Sequence, residues 1–112
     1  PVQAQQTQQS LQQQAQEKLQ KQQFLEESHK EQKERMHQLH EEEMNELQEA
    51  IHSQQQRYVA AGDFSSKRKA AFMQEVHVAL QRISDDQESQ RLQLRTRQAE
   101  EVASQVASQV AG

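Results

Sequence analysis

The chain has 112 residues and a formal net charge of −4, with 32% apolar residues, no tryptophan, no cysteine and 26 glutamines. Globular domains draw about half their residues from the apolar set, so a thick multilayer core is excluded here, and the missing cysteines exclude a disulfide framework or a thiolate metal site. Charge is uneven, −4 over residues 1–61 and zero over 62–112, and neither half has the basic excess of a nucleic-acid binder.

Low apolar content is also the mark of disordered chains. Against that reading, the only glycines are Gly62 and Gly112, the only proline is Pro1, and most other positions are good helix formers. The expected fold is therefore all-α: two long amphipathic helices broken near Gly62, forming an antiparallel helical hairpin or coiled coil that oligomerises. Residues 1–10 read as a Gln-rich, disordered leader without the basic-then-apolar pattern of a secretory signal. A first long helix is expected over 11–61, a turn over 62–65 and a second long helix over 66–110.

In the first helix Leu25, Met36, Leu47 and Tyr58 recur every 11 residues, with His29, His40 and Ile51 four positions after the first three. Eleven residues in three turns keep a stripe almost parallel to the helix axis. Towards the break, Met44, Leu47, Ile51, Gln54, Tyr58 and Ala61 also fit a three-and-four rhythm. At Ala61-Gly62-Asp63-Phe64-Ser65-Ser66, Gly62 can take the left-handed conformation that closes a helix. Asp63, Ser65 or Ser66 can then cap the next. Tyr58, Phe64 and Phe72 gather at this joint and read as a local core.

The second helix repeats the rhythm through Met73, Val76, Leu80, Ile83, Gln87, Gln90 and Leu94, and then carries the short repeat Val102, Val106, Val110. Folding at Gly62 pairs Ile51 with Val76, Leu47 with Leu80, Met44 with Ile83 and, more distantly, Leu25 with Val102. The residue numbers of every such pair add to 127. Met44, Leu47, Ile51, Tyr58, Phe72, Met73, Val76, Leu80 and Ile83 are thus the expected core and interface. At roughly 1.5 to 3 kcal/mol per buried aliphatic side chain, so few cannot hold two long arms, and association is expected.

Three Glu-x-x-His spacings, at Glu26/His29, Glu34/His37 and Glu49/His52, match those of di-metal helical bundles. In a chain this rich in Glu they read as solvated surface, so no metal or other cofactor is expected. His29 and His40 lie on the 11-residue stripe instead, where a polar seam facing water or a partner competes with a pH-sensitive one. The basic clusters Lys67-Arg68-Lys69 and Arg91/Arg95/Arg97 are interrupted by Glu75, Asp85, Asp86 and Glu88 and lack interleaved aromatics.

No phosphate loop, nucleophile elbow or cysteine nucleophile is present, and catalysis is not expected. The expected role is a non-catalytic coiled-coil protein–protein interaction and oligomerisation scaffold, of cytoskeletal type and cytoplasmic. Its partners would be itself, as a homodimer or higher, or other helical proteins, with nucleic acid and membrane surfaces disfavoured. The alternatives are an adaptor that meets anionic membrane or nucleic acid through the basic clusters, and a Gln-rich segment that folds on a partner.

Overall fold

The computed structural model describes residues 2–111, with side chains from residue 6 to residue 110. It contains two helices, α1 (Val2–Ala60) and α2 (Ser66–Ala111), and no strand among the described residues. Helix α1 begins at Val2 rather than at residue 11, so residues 2–10 of the leader expected to be disordered are helical, while Pro1 lies outside the described residues. The segment is polar yet helix-forming: from Val2 to Ala61 no glycine or proline interrupts a run of Gln, Glu, Ala and Lys.

The joint forms because each helix end finds its own cap. Gly62 adopts φ +69°. Its N–H donates to Val59 O at 3.0 Å, and the Asp63 N–H donates to Tyr58 O at 3.0 Å. This is the double closure in which a left-handed glycine satisfies the last free carbonyls of a helix. Three residues later Ser65 opens α2: its Oγ accepts from the Arg68 N–H at 3.3 Å, and its carbonyl from the Lys69 N–H at 2.8 Å. The unfavourable positive charge at this helix start is partly offset at Arg68. Its guanidinium reaches Asp63 at 3.5 Å and lies 5.2 Å from the centre of the Tyr58 ring.

Three aromatic rings close over the joint. Tyr58 and Phe64 stack with centroids 6.3 Å apart, and Phe72 meets both edge-on at 5.7 and 6.1 Å. Phe72 is buried and the other two are half-buried. Edge-on contacts of this kind contribute about 0.5 to 1.5 kcal/mol each beyond simple burial.

The chain divides into two compact units, one of Pro1–Glu34 with Arg95–Gly112 and one of Arg35–Leu94. In each unit a segment of α1 runs antiparallel to a segment of α2, as the interhelix hydrogen bonds require. Within the 35–94 unit those bonds join His40 to Gln87 and Gln90, and Glu43 to Gln87. Within the other they join His29 to Gln98 and Glu101, and Gln32 to Gln98. All these pairs have residue numbers adding to 127 or 130, a register of the kind the folded sequence gives.

Candidate functional site

Within each unit the segments of α1 and α2 build a seam together. On α1 the least exposed side chains are Leu25, His29 and Gln32, then Met36 and His40, then Leu47, Ile51 and Gln54, then Tyr58. On α2 they are Phe72, Val76 and Ala79, then Ile83 and Gln87, then Leu94, Gln98 and Glu101, then Gln105 and Gln109. Both sets fall on an 11-residue repeat, an advance of about 98° per residue that holds the stripe in line with the helix axis, and Ser28, Met44 and Leu80, also half-buried, flank it.

Among the expected core residues, Phe72 is buried, and Met44, Leu47, Ile51, Tyr58, Val76, Leu80 and Ile83 are half-buried. Met73 is 56% exposed. The heptad rhythm placed it in the seam, whereas the 11-residue period puts Phe72 there and turns Met73 outward. Val102 is likewise exposed, because the same period assigns its level to Glu101 and Gln105, so the pairing of Leu25 with Val102 is not made. Leu94, Gln98 and Glu101 were missed or left out of the core. Counting in steps of 11 residues along α2 finds them, from Phe72 to Leu94, from Val76 to Gln98 and from Ala79 to Glu101.

Two seam layers are polar and are built on one plan. In the 35–94 unit His40 is 5% exposed and Gln87 7%. The Gln87 amide donates to His40 O at 3.0 Å and, more weakly, to Glu43 Oε2 at 3.5 Å. His40 Nε2 meets Gln90 Oε1 at 2.7 Å. An amide oxygen only accepts, so the ring carries its proton on Nε2, and Nδ1 is left buried with no partner.

In the other unit the Gln98 amide donates to His29 O and to Gln32 Oε1, both at 3.1 Å, while His29 Nε2 donates to Glu101 Oε2 at 2.8 Å. Each residue of this layer is 11 positions from its counterpart, with Gln and Glu exchanging places at 32/43 and 101/90. His29 is therefore buried seam and not the solvated surface that its Glu26-x-x-His29 spacing suggested. A helical carbonyl keeps a second lone pair after its intrahelical bond, and that lone pair is what the glutamines use.

The remaining histidine motifs stay on the surface. Glu34, His37, Glu49 and His52 are exposed, with His37 Nε2 3.1 Å from Glu41. Among the described residues no cluster of three or more His, Cys, Asp or Glu is placed to hold a metal ion. Arg68 is committed to Asp63 and Tyr58, which leaves Lys67 and Lys69 as the outward part of that basic cluster. No described helix is long and apolar enough to cross a membrane.

Large apolar side chains left outside the seam complete the inventory. In the 35–94 unit Leu39, Val59, Met73, Val78 and Leu92 are exposed, and in the other unit Leu11, Leu19, Phe24, Val102, Val106 and Val110. The unit of residues 1–34 and 95–112 also has an open groove of about 1010 Å³ between its helix segments, with Phe24 and Leu25 on one wall and Ser104 and Ser108 on the other. The short serines explain the space, since they cannot reach across to fill it. Comparison of the chain with known protein families, with curated proteins and with solved structures finds no match.

Proposed function

We propose that this chain is a non-catalytic helical module whose work is association, packing one face of its helices on further helices, either its own copies or those of other proteins. The observation that carries this reading is the inverted use of apolar residues. Among the described residues, Phe72 and Leu94 are the only large apolar side chains buried, while His29, His40, Gln87 and Gln98 occupy the buried seam and eleven large apolar side chains lie outside it. Large apolar side chains left exposed offer surface to a partner, and buried polar residues in a helical seam limit it to few alignments at a cost in stability. Surface is thus available for a partner and the seam admits few registers, a combination that suits a scaffold segment.

Light scattering coupled to size exclusion tests the reading across about 1 to 300 µM, the range in which weak helical assemblies form. Mass is expected to rise with concentration, or to rise on addition of a helical partner. Replacing Val59, Met73, Val102 and Val106 together by serine is expected to abolish the rise without loss of helical circular dichroism. A chain that stays monomeric throughout, joins no helical partner, and is indifferent to those four substitutions would refute it.

A further inference from the structure

We propose that one face of the 35–94 unit receives a second copy of this chain, packed face to face with its helices running in the opposite direction. The inference rests on the associative role proposed above and names the partner, the face and the orientation.

The face follows from the 11-residue period. Val59 and Met73 each come one residue after a seam position, Tyr58 and Phe72, and Met44 and Leu80 each come three residues before one, Leu47 and Ile83. At about 98° per residue both offsets turn the side chain roughly 65 to 100° from the seam, in the same sense. Because the paired segments run antiparallel, equal rotations emerge on the same side of the pair. Val59 and Met73 are 57% and 56% exposed, and Met44 and Leu80 are half-buried. Together they form an apolar strip along one side.

Charges on this strip decide both the occupant and its direction. The seam register sets Glu88 of α2 level with Glu41 of α1, and Arg91 level with His37. Lys69 is level with Val59, close to the joint. All five of these charged or titratable side chains are exposed. A second copy packed with its helices in the same direction would lay Glu88 against the other copy's Glu41, opposing like charges at one end.

Turned end for end, the second copy places Lys69 across from its Glu88, with Glu41 beside it, and two-fold symmetry makes the contact twice. The same alignment brings Met73 into one layer with the other copy's Met44 and sets the two Leu80 side chains near the axis. One centre satisfies both the ionic pair and the apolar layer, which is the mark of a self-complementary surface.

A zero-length carbodiimide cross-link between Lys69 and Glu88 tests this directly. The two residues lie 19 positions apart on one helix, about 28 Å, so such a link forms only between copies. Mixing isotope-labelled with unlabelled chains and mapping the linked peptides is expected to give a mixed-isotope link of Lys69 to Glu88. Lys69→Glu alone and Glu88→Lys alone are each expected to weaken association by about 2- to 30-fold, two exposed ion pairs being lost, and the double exchange to restore it.

Association that persists without this link, or that both single reversals leave unchanged, overturns the antiparallel dimer and leaves the associative role standing. A chain that stays monomeric alone but gains mass with another helical protein overturns the second copy and keeps that role. A monomer that joins no helical partner overturns both.

Discussion

Replacing the His40 layer with its apolar counterpart should make the protein more stable. Ile51 and Val76 hold, one repeat nearer the joint, the places that His40 and Gln87 hold in the seam, so His40→Ile with Gln87→Val copies a layer this backbone already accommodates. Two aliphatic side chains buried to the same degree contribute about 1.5 to 3 kcal/mol each. Lost are the bonds of His40 to Gln90 and of Gln87 to the His40 carbonyl, at about 0.5 to 1.5 kcal/mol each, together with the apolar parts of the two original side chains.

The unpartnered Nδ1 disappears, Gln90 is exposed and turns to water, and the His40 carbonyl keeps its intrahelical bond. The double variant should gain about 1 to 3 kcal/mol, because removing both partners of a buried polar pair leaves neither unsatisfied. Gln87→Ala alone should lose a similar amount. Urea unfolding followed by circular dichroism at one fixed protein concentration measures both. A double variant less stable than the parent would mean that the polar layer contributes more than hydrogen-bond arithmetic allows, and the account of the seam would fall.

Other perturbations address the joint and the two units. Gly62→Ala should cost about 1 to 2 kcal/mol of unfolding free energy, all of it backbone strain from the left-handed conformation, since an added Cβ at φ +69° meets nothing within 4 Å. Gly62→Asn should cost less in the same urea titration. Phe72→Ala should cost about 3 to 5 kcal/mol, because it removes the ring that both Tyr58 and Phe64 contact, and the near-ultraviolet dichroism of Tyr58 should collapse with it. Amide hydrogen exchange should be faster in residues 1–34 and 95–112 than in 35–94, because the first unit's seam holds mostly Gln, His and Glu and the second's holds Leu47, Ile51, Phe72, Ile83 and Leu94. Equal protection would show that the side-chain hydrogen bonds of His29 and Gln98 hold as firmly as apolar packing.

Much of this architecture was legible in the residues, and the gaps have physical causes. The helices and their break were plain because a lone internal glycine followed by Asp and Ser is the grammar of one helix closing and another opening. The 11-residue spacing from Leu25 to Tyr58 gave the α1 seam. Its continuation on α2 was obscured because the stripe there turns from Phe, Val and Ile into Gln and Glu, and apolar periodicity stops reporting once the buried residues are polar. Met73 was misassigned for the same reason, since three-and-four spacing approximates both a 7- and an 11-residue period over a few turns. The burial of His29 and His40 was marked by their position on the stripe. Their partners Gln87 and Gln90 lie on the three-and-four rhythm of α2, whereas Gln98 and Glu101 carried no signal apart from the folded register.

The repetition of one polar layer after 11 residues has a consequence for alignment. Slide α2 by three helical turns and His40 would find Gln98 and Glu101 where Gln87 and Gln90 now stand, with much the same bonds on offer. A vernier with two matching marks needs an outside stop, and here the stop is the short capped joint at Gly62 with its three rings. If that joint were cut, the freed helices would face two nearly equivalent notches, and the fragments should equilibrate between them.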